Sequence, residues 1–295
     1  MSRAQVTVTA RLVRSPRVVF GMIVMILLVI AAVFAPWLAP MDPQAQDLLA
    51  PMEPPAWSAS ASSADSPSED TGVHWLGTDA LGRDVLSRLI WGARTALTVA
   101  LSAAILTAVI GSLLGAMAGY FGGAVDTVIS RMVDVWMSFP PVLLAIVLVA
   151  MVGTGLSSVI LAIAVVDWTR FARMVRAEAR AQRTQDYVTS AHMLGLGPWR
   201  ILATEIGPNI APLLITLLTL EMGVAVVVEA ILSFVGLSVA SGASTWGGML
   251  GEGRLYVNQA PWLMLLPIAA TMLTVLGLNA LGDGLRRELD PVVRS

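Results

Sequence analysis

The chain has 295 residues, of which 56% are hydrophobic and only 13% are charged, and its formal net charge is −2. A soluble domain carries about 25% charged residues. The deficit indicates an integral membrane protein, because a charge at the bilayer centre costs several kcal/mol. The small net charge gives no sign of a nucleic-acid partner. Cysteine is absent, which excludes disulfides, thiol nucleophiles and cysteine metal sites.

Every one of the 18 basic residues is arginine. A Walker A loop places a lysine on the nucleotide phosphates. We therefore expect that the chain is not an enzyme of the P-loop ATPase type and that any ATP energy comes from a partner. The two histidines, His74 and His192, are too far apart in the sequence for a zincin motif. We predict no metal site and no cofactor bound by this chain.

The first uncharged run extends from Val18 to Ala39 and follows a cluster of arginines at positions 3, 11, 14 and 17. About 20 apolar residues suffice to cross a bilayer as a helix. The run is too long for the apolar part of a signal peptide, so we predict a retained first span. Residues 51–73 are rich in proline, serine and acids, which predicts a flexible external loop.

Residues after His74 predict a short helix on the membrane surface. Thr78 or Asp79 is the expected N-cap. Leu81, Val85, Leu86, Leu89 and Ile90 would form its apolar side. Asp84 and Arg88 would pair at the i,i+4 spacing.

Five more spans follow, each long enough for a bilayer. The second, from Thr95 to Tyr120, has the two overlapping GxxxG patterns that permit close helix packing, within the subunit or against a neighbouring one. The glycines of these patterns are Gly111, Gly115 and Gly119. The Gly153-Thr154-Gly155 turn divides the uncharged stretch 135–166 into two spans. The last two spans run from Ile210 to Gly236 and from Pro261 to Leu281.

The arginine distribution fixes the orientation of these six spans. With both termini in the cytoplasm, 14 arginines lie inside and 4 outside, as the positive-inside rule requires. The predicted organisation is a cytoplasmic N-terminus and first helix (1–40), an extracytoplasmic loop with an interfacial helix (41–93), a five-helix core (94–285) and a cytoplasmic tail (286–295). We find no internal repeat, so an inverted-repeat transporter gains no support.

A long cytoplasmic loop, residues 177–209, lies inside the core. Tyr187, Ala191 and Leu194 are spaced to share one face of a short helix. Gly195 or Gly197 would end that helix and Pro198 would begin the next. A short helix with an apolar face can enter a groove on a partner. The alternative is a helix that packs only on its own chain.

This loop resembles the segment by which bacterial ABC-importer permeases dock on their ATPases. The similar residues are 187–191 (YVTSA), Gly195 and 206–209 (IGPN, with Pro208). Thr189 and Ser190 replace part of the family's Glu-Ala-Ala opening, and Gly207 replaces its usual leucine. Three further elements, at 76–94, 232–247 and 278–291, resemble the second permease subunit of dipeptide, oligopeptide and nickel ABC importers. The resemblance covers about residues 10–292.

The resemblance implies an all-α type I importer permease in the bacterial inner membrane, in contact with membrane lipid. It also implies a homologous second permease subunit, an extracytoplasmic solute-binding protein, and two cytoplasmic ABC ATPase subunits that hold ATP and magnesium. We expect short peptides as cargo. Nickel, free or as a metallophore complex, is the alternative, but nickel favours imidazole and neither histidine lies in a span.

Glu221 and Glu229 lie inside the fifth span, where carboxylates are costly and face a cavity or a partner. Their separation is about 80° of helical rotation, so both could point inward. They either line the pathway or make structural hydrogen bonds. As ion sites they would instead suit an autonomous ion-coupled transporter or channel. An intramembrane enzyme is disfavoured, because cysteine is absent and no histidine lies near these carboxylates.

Overall fold

The computed structural model describes residues 15–58, 74–238 and 243–289, and it is helical throughout. The helices are α1 (Pro16–Val33), α2 (Ala35–Leu38), α3 (Val85–Phe121), α4 (Gly123–Met137), α5 (Pro141–Val152), α6 (Leu156–Arg183), α7 (Asp186–Met193), α8 (Pro198–Ile201), α9 (Gly207–Phe234), α10 (Trp246–Gly253) and α11 (Trp262–Leu289). A π-helical segment, Leu202–Ile206, joins α8 to α9. Within the described ranges, strand-like pairing is limited to one bridge between Thr78 and Asp84. The all-α prediction is confirmed.

Among the described residues, four helical segments are long and apolar enough to cross a membrane: α1, α3, α8–α9 and α11. They occupy the positions predicted for the first, second, fifth and sixth spans. The pair α4–α5 would make a fifth span if it crosses as one bent unit. Helix α6 is 28 residues long but carries Asp167, Arg170 and Arg173 in its middle, so its composition alone does not mark it as a span.

Helix α3 is the centre of the molecule and packs against α1, α6 and α9. Its glycine stripe lies against α6: a Cβ added at Gly115 would be 2.5 Å from the backbone oxygen of Ala172. Gly111 and Gly119 approach the α6 backbone just as closely. Apolar side chains on the outer sides of α1, α3 and α11 stay exposed, Leu113 of α3 by 61%. Such a surface suits lipid.

The predicted surface helix before the second span is wrong. Residues 74–84 form turns, because Gly77 and Gly82 adopt φ angles of 79° and 71° that no α-helix contains. The helix begins instead at Val85 and continues without a break to Phe121. Its N-cap is Asp84, whose side chain accepts a hydrogen bond from the Ser87 amide at 2.8 Å.

The predicted Asp84–Arg88 pair is also replaced by other partners. Asp84 contacts His74 Nδ1 at 3.1 Å. Arg88 bonds Asp79 and donates to Glu252 at 2.7 Å, and Arg83 contacts the same two carboxylates at 2.6 and 2.7 Å. Asp79 is 3% exposed, whereas the Glu252 side chain is 47% exposed. The network thus joins the start of α3 to α10 from a buried carboxylate to one at the surface.

The helical segment at the position of the predicted third span is bent. Helices α4 and α5 meet at an angle of 88°. The break falls at Pro140 and Pro141, since proline lacks an amide hydrogen and disfavours the α conformation of the residue before it. The helical segment starts at Gly123, before the uncharged stretch 135–166 from which the span was predicted. Asp126, Arg131 and Asp134 belong to the bent pair instead of the preceding loop.

The orientation of the spans is testable with the cysteine-free chain. We expect a cysteine at Gln46, in the exposed loop after α2, to react with an impermeant thiol reagent added to intact cells. A cysteine at Gln185, exposed just before α7, should react only after the membrane is opened. The measurement is labelling of each variant before and after permeabilisation, and the reverse pattern would contradict the N-in orientation.

Residues 59–73, most of the predicted external loop, lie outside the described part of the chain.

Candidate functional site

The cytoplasmic loop carries a helix whose end is set by Gly195. Helix α7 ends at Met193. The Gly195 amide donates to the His192 carbonyl at 3.0 Å and the Leu196 amide donates to the Ala191 carbonyl at 3.2 Å. These two bonds form a Schellman motif, in which the residue at the glycine position is left-handed. Gly195 has a φ of 77°. Of the two glycines that the sequence offers, Gly195 ends the helix.

The buried side of α7 differs from the predicted face. Val188 and Ala191 are buried at 1% and 5% exposure, packed against Ile201 and Ile206. Tyr187 is half-buried beside them. Leu194, predicted on the same face, is 82% exposed, because it follows the last turn of α7 and lies beyond this cluster. The side of α7 that carries Val188 and Ala191 thus packs on the chain itself, as the alternative hypothesis for this helix predicted.

The loop still presents apolar side chains to the outside. Met193 is 84% exposed and Leu194 is 82% exposed at the end of α7, and Trp199 on α8 is 59% exposed. The Trp199 ring also packs against Phe121 at the end of α3, with ring centroids 5.2 Å apart. Met193 and Leu194, adjacent at the end of α7, are the apolar side chains of the loop that are most exposed. The sequence prediction named Leu194 but missed Met193 and Trp199. Their position in the sequence, close to the predicted helix end at Gly195, could have indicated that they are exposed.

Side-chain bonds tie this loop to three spans. The Tyr120 hydroxyl, at the end of α3, lies 3.2 Å from His192 Nε2. The Tyr187 hydroxyl donates to Gln182 Oε1 on α6 at 2.6 Å and accepts from Asn209 Nδ2 on α9 at 3.2 Å. A displacement of α7 therefore reaches α3, α6 and α9 directly.

The exit from the loop is a continuous but irregular helix. Gly197 is the N-cap of α8 and Pro198 occupies its first turn, as predicted. The Gly207 amide then bonds to the Leu202 carbonyl, five residues back, in a π turn. Pro208 follows and has no amide to continue the α pattern. π-helical turns are frequent at functional sites.

The two intramembrane carboxylates belong to separate networks. Glu221 is 1% exposed and accepts from Arg170 Nη1 at 3.0 Å, while Arg170 Nη2 donates to Asp167 at 3.1 Å. Glu229 is 2% exposed and accepts from the hydroxyls of Ser233 and Ser238 at 2.5 and 3.1 Å. Both acids thus have hydrogen-bond partners inside the protein, and the structure does not bring them to one shared site.

Comparison with known proteins agrees with this architecture. Residues 111–295 match the family model of the binding-protein-dependent transport system inner membrane component, and residues 6–55 match the N-terminal TM domain of oligopeptide transport permease C. The chain is 38% identical to the di/tripeptide transport system permease protein of Pseudomonas aeruginosa, over 93% of this chain and 88% of that protein. It is 35% identical to a probable D,D-dipeptide transport system permease protein of Escherichia coli, over 94% and 88%.

The fold resembles that of a solved structure, the methionine ABC transporter MetNI in an inward-facing conformation. The TM-score is 0.54 at 17% identity, and the match covers 69% of this chain and 96% of the matched chain. The fold of this chain is therefore that of a type I importer permease. Together with the match over residues 111–295, this shows that the chain belongs to the family of binding-protein-dependent transport system inner membrane components, multi-pass proteins of the inner membrane.

Proposed function

We propose that the chain forms half of the translocation pathway for di- and oligopeptides in an ATP-driven importer. The observation that carries this proposal is the 38% identity to a di/tripeptide permease over 93% of the chain. The complete importer would contain a homologous second permease, two cytoplasmic ATPases that bind ATP and magnesium, and an extracytoplasmic solute-binding protein.

The 177–209 loop is our candidate for the contact with an ATPase. Met193, Leu194 and Trp199 would enter a groove on that subunit. When ATP draws the two ATPases together, α7 would move with them. Its bonds to Tyr120 on α3 and Asn209 on α9 would carry the motion into the spans. Such coupling requires that nucleotide favour one of two conformations of the complex.

The purified single chain should hydrolyse no ATP above the background of a mock preparation, since it has no lysine for a Walker A loop. Reconstitution with both ATPases, the second permease and the binding protein should give ATP hydrolysis that the loaded binding protein stimulates. Phosphate release from both preparations, measured in the same liposomes, is the test. Hydrolysis by the chain alone would contradict the proposal.

The cargo is tested in a strain deleted for this subunit. We expect loss of growth on a dipeptide as the only amino-acid source, restored by the wild-type gene, while nickel accumulation stays normal. The histidines agree with this choice: His74 pairs with Asp84 outside the spans and His192 lies beside Tyr120 at the cytoplasmic loop. Intact peptide uptake with loss of nickel or metallophore accumulation would show that the cargo is a metal.

A further inference from the structure

Helices α4 and α6 carry exposed charged side chains within their length: Arg131 and Asp134 on α4, and Arg170 and Arg173 on α6. The level of the α6 charges along α3 follows from the packing of α6 on α3. Gly111 of α3 lies against Trp168 and Phe171, and Gly115 lies against Ala172. Arg170 and Arg173, both exposed, therefore lie at the levels of Gly111 and Gly115.

At those same levels α3 exposes only apolar side chains to the outside, Val109 by 52% and Leu113 by 61%. That side of the molecule suits lipid. The α6 side cannot, because an arginine in hydrocarbon is costly and such residues face a cavity, a partner or water.

Helix α4 also exposes charged side chains. The side chains of Arg131 and Asp134 are 81% and 67% exposed and lie 3.7 Å apart. Asp134 is 11 residues into α4, about 16 Å along the helix axis. The end of α4 is attached to α6, since Trp136 Nε1 donates to the Val165 carbonyl at 2.6 Å. The charged sides of α4 and α6 are neighbours, because Asp134 and Arg173 line the same cavity.

Between the two helices lies a cavity of about 340 Å³, which we call the α4–α6 cavity. Its polar lining consists of Ser130, Asp134, Ser138, Arg173 and Arg176. Asp126 holds the Arg176 guanidinium in a two-point ion pair. Within the described residues, the Arg173 guanidinium contacts Met137 Sδ at 3.2 Å and has no ion-pair partner. The cavity therefore offers an unpaired cation, an exposed carboxylate and two hydroxyl groups.

We propose that the α4–α6 cavity is a cargo-contact site in the pathway, where Arg173 meets the free carboxylate of a short peptide and Asp134 meets its free ammonium group. The proposal rests on the proposed function and adds the site and the groups it recognises. A cavity with both signs of charge is complementary to a zwitterion. A phosphate or lipid headgroup that approached Arg173 would meet the Asp134 carboxylate as well.

The first test asks whether the cavity is wet in the assembled importer. Ser138→Cys, at the bend after α4, should react with a hydrophilic thiol reagent at least about ten times faster than Leu113→Cys, which lies among apolar side chains on the outer side of α3. Labelling is read from the mass of this subunit. Equal, slow labelling of both would overturn the proposal. So would a Ser138→Cys that reacts in the isolated chain but not in the complex, because the second permease would then cover this face.

The second test measures dipeptide uptake in liposomes that contain the complete importer. Arg173→Gln and Asp134→Asn should each lower uptake about tenfold, as expected for loss of one charge-assisted hydrogen bond, while the binding protein still stimulates ATP hydrolysis. Arg173→Lys should keep more uptake than Arg173→Gln. Matched controls are Arg287→Gln and Asp283→Asn, exposed on α11, and these should transport as the wild type does.

Uptake by the wild type distinguishes failure of the cavity proposal from failure of the proposed function. If the wild type imports the dipeptide and both cavity variants match it, the cavity proposal is wrong and the proposed function stands. If the wild type imports no peptide, the proposed function fails and the peptide assignment of the cavity fails with it. Labelling of Ser138→Cys then still decides whether the cavity is open to water.

Discussion

Replacing Gly195 by valine is expected to lower transport at least tenfold. Gly195 has a φ of 77° and closes the Schellman motif of α7. A β-branched residue in the left-handed region costs about 1–2 kcal/mol or more. A Cβ at this position would meet no atom within 4 Å, so the strain is in the backbone and is not a clash. The last turn of α7 should loosen, and Met193 and Leu194 should lose their fixed position.

Gly195→Asn is the matched control, because asparagine accepts the left-handed conformation and also ends helices. We expect it to retain most of the uptake. The measurements are dipeptide uptake, ATP hydrolysis stimulated by the binding protein, and crosslinks from cysteines at positions 191–200 to an ATPase subunit. Normal uptake by Gly195→Val together with no crosslink from this segment would rule out the loop as the docking contact.

Gly115→Val is expected to prevent accumulation of folded protein. The added Cβ would lie 2.5 Å from the Ala172 oxygen and 3.0 Å from the Ala172 Cα. Both atoms are backbone, so no side-chain rotation relieves the clash and α3 must move away from α6. Overpacking typically costs about 1–3 kcal/mol and occasionally more. We expect the upper end, because the stripe from Gly111 to Gly119 depends on the same close approach.

Ala108→Val is the control for this variant. Ala108 is on the same helix but borders an apolar cavity of about 650 Å³ between α3 and α9, which has room for two extra methyl groups. Folded yield after detergent extraction and the unfolding temperature should fall for Gly115→Val and stay near wild type for Ala108→Val. Equal stability of the two variants would show that the glycine stripe is not needed for packing.

The sequence by itself determined the features that depend on nearby residues. Long, predominantly apolar runs identified α1, α3, α9 and α11, because a bilayer-spanning helix requires an apolar length that is visible in the sequence. A helix end at Gly195 or Gly197 and a helix start at Pro198 were also predicted, since both depend on backbone conformations available to single residue types. The structure assigns the end to Gly195. The cytoplasmic loop and its family followed from local motifs that the comparisons then matched.

Only the tertiary structure decided which distant groups meet. Arg88 pairs with Glu252, 164 residues away, in place of Asp84 one turn before it. Arg170 on α6 donates to one oxygen of Glu221 on α9, so this carboxylate, predicted to line the pathway or to make structural hydrogen bonds, has a partner inside the protein. Leu194 is exposed because α7 ends at Met193, so Leu194 lies beyond the cluster in which Val188 and Ala191 pack on Ile201 and Ile206. For each of these charged side chains the sequence offered more than one chemically suitable partner. The partner that it contacts lies on a helix that comes close only in the folded chain.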